Sequence, residues 1–419
     1  MIFKNKLMCL LTAAAALICC SGCMLSGTNI NDNSDIIRTH ESTSSIYISD
    51  DSISGVTDNS TELHDENSIS EIINYYTSSL NKKELTVFSE IYSGIMAYQK
   101  EIDIKGGIIK ADDIGDFLTF LTSVCSEIHH LSGNYGLYTD ENGFVTGLEM
   151  NYSRSKETGK AELDVLNKKI TQICGKVSSL SDYDKIKFLH DYIVKNCSYD
   201  PNGKNIYSAY GCLIDGKAVC EGYSKAFAML CEKAGIPCIN IMGEATNKKN
   251  KVESHMWNMI MLNGCWYHID VTWDDPKNLF GDDYVRYDYF NVNDDMIKSD
   301  HRSISNKYMD YPNSDETKEN FFIKQRLYLF NNIDSKPMIE KTVRNCLLNS
   351  EKYIRFRCES DDKYQSVINE LFNKSDNNSG FFEILESIVN EIGANISTEE
   401  YSIVENDTTK VITIQLKDK

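Results

Sequence analysis

The sequence predicts an α+β chain. A helix with a cysteine at its N-terminus packs on an antiparallel sheet, helices precede this core, and a small α+β module follows it. Three observations carry the expectation. Helical spacing begins abruptly at Cys220, Asn263-Gly264 separates two alternating runs, and amphipathic segments resume after residue 335. A length of 419 residues suits two domains plus extras at ~150 residues per domain. The 43 basic and 62 acidic side chains leave a net charge of −19. No basic run exceeds the pair Lys248-Lys249, so a nucleic-acid partner is excluded for want of a counterion-displacing face.

The first 23 residues read as an export signal. Lys4 and Lys6 precede an apolar run from Leu7 to Cys20, too short to span a bilayer comfortably. Ser21-Gly22-Cys23 follows and resembles a bacterial lipobox. That resemblance implies a lipid on Cys23 and a protein anchored at the extracytoplasmic face of the membrane; Leu17-Ile18-Cys19-Cys20 is a competing frame. Residues 24–68 form the expected tether. Over 27–68, Ser, Thr, Asn and Asp fill 25 of 42 positions and nine carboxylates face one Arg, a composition that cannot bury enough apolar surface to fold. As a coil this stretch spans roughly 37 Å root-mean-square.

Residues 69–180 are expected to be mostly helical with one hairpin. Glu71–Leu80 and Lys82–Gln99 have helical spacing, with Leu85, Phe88, Ile91, Ile95 and Met96 near one face; Ile114–Val124 is another such segment. Strand-like runs at Gly136–Tyr138 and Phe144–Asn151 flank the turn signal Glu141-Asn142-Gly143. Helices are expected over Lys156–Val177 and Asp182–Asn196, the second capped by Ser181 with Asp184 reaching back.

The informative stretch is 181–304. Tyr223, Ala226, Phe227, Leu230 and Ala234 share a helix face, and Gly235 and Pro237 stop the helix. Cys220 therefore stands at a helix N-terminus, where unpaired N–H groups and the macrodipole favour a thiolate and supply oxyanion donors. Asn263-Gly264 is a strong two-residue hairpin signal. Its register sets Leu262 against Cys265, Met259 against His268 and Trp257 against Asp270. His255 and Asp270 become diagonal neighbours, roughly 7–8 Å apart at Cα and closer at their tips. A carboxylate that orients one imidazole nitrogen leaves the other for a thiol, the generalised triad. His268 is the competing base. His190 and His301 have no carboxylate fixed by register and read as structural or exposed, and His129-His130 as a helix-end contact. Trp257 is a candidate substrate contact, Trp266 a packing residue.

The blocks Asp215-Gly216-Lys217-Ala218-Val219-Cys220-Glu221-Gly222-Tyr223, His255-Met256-Trp257-Asn258 and Trp266-Tyr267-His268-Ile269-Asp270-Val271-Thr272-Trp273-Asp274 together resemble the bacterial transglutaminase-like superfamily. The resemblance is close over about 180–275 and looser to Tyr289-Phe290 and Asp300-His301-Arg302. It implies a papain-like core with Cys220 as nucleophile, His255 as base and Asp270 as orienter. Animal calcium-dependent transglutaminases carry a Trp upstream of the nucleophile that stabilises the oxyanion. No Trp precedes position 257 here, which leaves Tyr210 or backbone N–H groups for that role. The acidic pairs Asp274-Asp275 and Asp282-Asp283 lack EF-hand spacing and read as exposed turns, so neither metal nor other cofactor is expected.

Ten cysteines remain outside the leader and Cys23, none of them in a CxxC pair. An exported chain with that number invites disulfides, yet a free nucleophile leaves nine, and most read as small buried hydrophobes. Residues 305–419 are expected to form the C-terminal α+β module: helices at Ser335–Leu348, around Tyr364–Phe372 and at Phe381–Ile392, and strands at Tyr353–Cys358 and Val411–Leu416. The expected function is attack on an amide through a thioester acyl-enzyme. Water as acceptor makes it a peptidase or amidase, and an amine makes it a crosslinking transglutaminase. The substrate is a protein or peptide, a cell-wall peptide being one candidate. The non-enzymatic alternative is a binding module on the same fold.

Overall fold

The computed structural model describes residues 8–9, 80–105, 107–275, 280, 284–372 and 380–419. The leader apart from Met8 and Cys9, Cys23, the 24–68 tether, nearly all of the helix expected over 71–80 and the pair Asp282-Asp283 lie outside the described residues. Two compact units result, one holding 8–9 and 80–326, the other 327–419. Among the described residues no helix is long and apolar enough to cross a membrane.

The first unit opens with α1 (Lys82–Met96). Asn81 caps it by accepting from the N–H groups of Lys83 and Glu84, while Glu84 accepts from the N–H of Asn81 at 3.0 Å, a reciprocal box. Val87, Phe88, Ile91 and Ile95 are buried, but Leu85 is exposed, so the buried stripe is narrower than the periodicity suggested. Then come β2 (Glu101–Asp103), α2 (Ile114–Val124), β3 (Leu131–Thr139) and β4 (Val145–Tyr152). These strands and β1 (Met8–Cys9) form a sheet in the order β1-β3-β4-β2. Helices α3 (Lys156–Gly175) and α4 (Asp182–Asn196) follow, then two short strands that pair in parallel, β5 (Ser198–Tyr199) and β6 (Lys217–Ala218). Ser181 caps α4 as expected, accepting from the N–H of Asp184 and donating to its carboxylate at 2.6 Å.

The central sheet is antiparallel in the order β10-β9-β8-β7-β11, comprising β7 (Cys238–Thr246), β8 (Val252–Leu262), β9 (Cys265–Ile269), β10 (Phe290–Val292) and β11 (His301–Ser303). Positive φ at both Asn263 (53°) and Gly264 (79°) gives the primed hairpin turn. The register Leu262↔Cys265 and Met259↔His268 is the expected one. The ladder ends at Asn258↔Ile269, so Asp270 starts a turn instead of pairing with Trp257. Helix α5 (Cys220–Lys233) is stitched to the sheet by buried polar groups. The hydroxyl of Ser224 donates to the Met256 carbonyl at 2.8 Å. The amide of Asn258 donates to the Ser224 carbonyl and to Asn240 Oδ1.

One hydrophobic core joins the N-terminal segment to this sheet: Phe88, Phe117 and Phe120 belong to the same cluster as Ile239, Ile241, Trp257 and Met259. At the other edge, Asn320 donates to the carbonyl of Phe290, and Phe321 of the short α6–α7 segment region stacks on Tyr287 at 3.9 Å, where α6 is Asp294–Ile297 and α7 is Phe321–Lys324.

The second unit has a four-stranded sheet in the order β12-β13-β15-β14, made of β12 (Tyr328–Leu329), β13 (Tyr353–Cys358), β14 (Ile396–Asn406) and β15 (Val411–Asp418). Helices α8 (Lys336–Leu348), α9 (Asp361–Phe372) and α10 (Gly380–Ile392) share a core with it through Val343, Leu371, Leu385, Phe356 and Ile414. The α+β class and the helix-on-antiparallel-sheet core are as the sequence predicts.

His129 and His130 follow α2 in an irregular segment and do not cap a helix. The ring of His130 stacks on Tyr98 at 4.2 Å, and its Nε2 lies 3.1 Å from the Ile95 carbonyl. Burial pulls its pKa down to about 4. An unfolded chain binds a proton at His130 below pH ~6.5 that the native state refuses, so stability is complete above that pH and declines as pH falls toward 4. The loss should be on the order of 2 kcal/mol. Urea unfolding between pH 7 and 4 should show that decline, and His130→Gln should flatten it.

Candidate active site

Cys220 is the first residue of α5. The segment before it is held extended: Ser198 N–H donates to the Gly216 carbonyl, Asp200 N–H to Ala218, and Val219 N–H to Ile206. The chain must therefore turn into helix at 220. Gly222 permits this, because a Cβ there would lie 2.4 Å from the Ile206 carbonyl oxygen and 2.7 Å from the Ala218 Cβ. Val219 at the N-cap offers no side-chain acceptor to the N–H groups of the first turn. Cys220 is 7% exposed.

His255 lies on β8 opposite Gly243 of β7. Its Nε2–H donates to Asp270 Oδ2 at 2.6 Å, which puts the lone pair of the neutral ring on Nδ1, the atom able to take a thiol proton. Trp257 and Trp273 flank the ring at 6.0 and 5.5 Å between centroids. Gly243 makes room: a Cβ there would meet Trp257 Cη2 at 2.7 Å and the Arg302 carbonyl at 2.3 Å.

Asp270 has no solvent exposure, and every described partner stabilises its charge. Oδ1 accepts from the N–H groups of Thr272 (2.9 Å) and Trp273 (3.0 Å). Oδ2 accepts from His255 and from His301 Nε2 at 3.0 Å. Burial alone would raise this pKa, but the two imidazoles outweigh it and hold it well below the usual carboxylate range. His301 also donates from Nδ1 to Asp300 Oδ1 at 2.6 Å, and Tyr289 OH donates to Asp300 Oδ2 at 2.6 Å. Burial disfavours the His301 cation, yet its bonds to Asp270 and Asp300 prevail and lift its pKa to about 9.

Several sequence expectations change here. His301 has two carboxylate partners and joins the site; β11 brings it there by pairing His301 with Ala245 of β7, a long-range contact no local pattern announces. The adjacent Asp300-His301-Arg302 block was the available signal. His190 is wholly buried between Asp191 and Asp274 at 3.1 and 3.2 Å, so it too has carboxylate partners. Asp274 is no exposed turn: it is buried and also accepts from the N–H of Tyr289 at 3.1 Å. Trp257, expected as a substrate contact, is 1% exposed within the hydrophobic core. Its indole N–H is spent on His268 Nδ1 at 3.0 Å, which removes it from substrate or oxyanion work. His268 donates from Nε2 to Asp294 at 3.0 Å, so both its nitrogens are engaged and it is a poor base. Tyr210 is half-buried beside a single π-type turn, Gly211–Asp215. The ten cysteines from Cys125 to Cys358 form no disulfide, and nine of them are buried.

A cysteine opens α5, and a histidine–aspartate pair lies on the neighbouring antiparallel hairpin and the turn after it, the arrangement expected of a papain-like transglutaminase core. Residues 171–271 match the family model of the transglutaminase-like superfamily. Over 137 residues, 30% of the chain, it is 25% identical to the kyphoscoliosis peptidase of Mus musculus, and over 131 residues it is 25% identical to that of Homo sapiens. The chain spans about a fifth of the length of these curated relatives, 20% and 19%. Among solved structures it is similar to a putative cysteine protease from Cytophaga hutchinsonii, at 17% identity and a TM-score of 0.22, over 33% of this chain and 61% of that one.

The Trp257–His268 bond has a consequence that can be measured. Burial lowers the pKa of His268, with Asp294 opposing, and an indole N–H aimed at Nδ1 leaves no place there for a proton. Nitrogen-15 spectra of the imidazoles should show His268 as the Nε2–H tautomer through mildly acidic pH. Trp257→Phe, which removes the donor, should raise its pKa.

Proposed function

We propose that this protein is a cysteine enzyme that cleaves amide bonds through a thioester on Cys220, held outside the cell by a lipid on Cys23. The observation that carries the chemistry is the 2.6 Å bond from His255 Nε2 to a wholly buried Asp270. It sets the tautomer a general base needs. In the proposed sequence Cys220 gives its thiol proton to His255 Nδ1, and Sγ attacks the amide carbonyl carbon. The N–H groups at the start of α5 stabilise the resulting oxyanion, with Tyr210 as a further candidate donor. His255 then returns the proton to the leaving amine as the C–N bond breaks, giving the thioester. Water, deprotonated by His255, releases the acid. An amine in place of water would make the same intermediate a crosslinking one. Water is favoured because the mouse and human relatives are named as peptidases and no second acceptor is required.

The anchor rests on the Lys4–Cys23 pattern. The acidic stretch after it suits a spacer between membrane and domain, and protein or peptide substrates at the cell surface follow from that location.

Site-resolved alkylation tests the chemistry. Iodoacetamide should label Cys220 well below the ordinary thiol pKa of ~8.5, and His255→Ala should slow that labelling. Cys220→Ser should abolish amide turnover, and Asp270→Asn, which reverses the His255 tautomer, should lower it about 10⁴-fold. Labelling of Cys220 that is slow and indifferent to His255 would overturn the enzymatic reading in favour of a binding module. For the anchor, Cys23→Ser should move the protein from the detergent phase to the aqueous phase on phase separation; an unchanged partition that shifts with Cys20→Ser instead would place the lipid in the competing frame.

A further inference from the structure

Three metal-ligating atoms converge at the base: one from His255, one from Asp270 and one from His301, all within 4.8 Å of one another. They come from β8, the turn after β9, and β11, so three separate pieces of the scaffold aim them at one point. We propose that these residues form a binding site for a divalent transition-metal ion of the zinc class, and that the ion switches the proposed thiol chemistry off. The inhibitory half of this proposal rests on the reading of Cys220 and His255 given above; the binding half does not.

The donor set selects the ion. Two imidazole nitrogens and one carboxylate oxygen suit Zn²⁺, Co²⁺ or Fe²⁺, whereas Ca²⁺ and Mg²⁺ require oxygen shells. In the described structure protons bridge these ligand atoms. His255 Nε2 and His301 Nε2 lie 2.6 and 3.0 Å from the shared Asp270 Oδ2, separations that ligands about 2.0–2.2 Å from one ion can reach with a small movement. The outer shell is already built. His301 Nδ1–H donates to Asp300, which is itself held by Tyr289, the carboxylate–histidine support that metal-bound imidazoles use. Asp270 Oδ1 is tied to two backbone N–H groups, which leaves Oδ2 as the ligand. The side chains of Asp270 and His301 are sealed from solvent, while that of His255 keeps 7% exposure, so an ion would enter past His255.

Binding exchanges protons for the ion. His301 gives its Nε2 proton to solvent. His255 loses its proton from Nε2 and regains one at Nδ1, so one proton is released per ion and no redox step occurs. With Nδ1 protonated, His255 can no longer accept the proton of Cys220. The base is therefore disabled by its own tautomer, whether or not the thiol touches the metal.

Cobalt is the probe, because its visible absorption reports coordination without any substrate. Co²⁺ titrated into the full chain in detergent should bind with a one-to-one component that Zn²⁺ displaces. His301→Ala should weaken that component by on the order of 100-fold, and Asp300→Asn, which keeps His301 in place, by 10–100-fold. Zn²⁺ should also suppress alkylation of Cys220 in the unsubstituted chain and lose that effect in both variants. Cobalt spectra and affinities indifferent to both substitutions would overturn the site. Binding that responds to the substitutions but leaves Cys220 alkylation unchanged would overturn the switch. A Cys220 that is unreactive even without metal would sink the acyl-transfer reading, and the cobalt titration would still decide the site.

Discussion

A carboxylate with no access to water must be given hydrogen bonds and positive charge or it will take up a proton. Asp270 meets that demand with two backbone N–H groups and two imidazoles, and most of the surrounding architecture serves it. The turn 270–275 must curl so that the N–H groups of Thr272 and Trp273 point back at Oδ1. That turn is held in its own right by the Asp274 N–H donating to the Asp270 carbonyl, and by Asp274 buried against His190 and Tyr289. A second buried carboxylate–imidazole contact thus fixes the turn that carries the first.

The same constraint reaches outward through β7 and β11. His301 arrives only because β11 pairs with β7, and Gly243 lets Trp257 lie close to that pairing. Trp257 in turn ties its indole to His268 and its ring to the core shared with α1 and α2. The N-terminal segment is therefore part of the support of the His255 ring: Trp257 touches the imidazole on one side and shares a hydrophobic cluster with Phe88, Phe117 and Phe120 on the other. Close-packed interiors transmit small displacements, so substitutions near residue 120 have a direct mechanical route to the base.

Local chemistry made much of this legible. The α4 boundaries, the Ser181 cap, the start of α5 and the hairpin register as far as Asn258 all follow from residue types within a few positions of one another, and the structure agrees with each; the expected Trp257–Asp270 pair does not form. The helices and strands of 335–419 read similarly, apart from β14, whose register slips between Ile396 and Tyr401 and breaks its alternation. What escaped depends on distance in sequence. Strand β7 is buried over Cys238–Gly243 on both faces and so shows no polar alternation to read. His301, His190 and Asp274 look like ordinary surface polar residues until the fold pairs them. Trp257 sits on the same face of the register as His255, yet the register alone says nothing of depth, and a residue beside that imidazole proved to be core.

The start of α5 shows how local rules yield to a site. Helices α1, α3 and α4 begin at Asn81, Ser155 and Ser181, each accepting from a first-turn N–H. Helix α5 follows Val219, which accepts no first-turn N–H through its side chain, as is also true of Asp113 before α2 and Ser335 before α8, but unlike them it has no acceptor to offer; it forgoes about 1 kcal/mol of capping. Ser or Asp at 219 would recover that energy and occupy N–H groups that the proposed oxyanion would need, and Asp would add a negative charge beside the thiol. An apolar N-cap adds neither an acceptor nor a negative charge to the first turn, whose macrodipole favours an anion at that end. The apolar cap and the well-satisfied carboxylate are complementary: the cap side chain withholds an acceptor at one end, and at the other Asp270 gathers donors that orient the His255 ring.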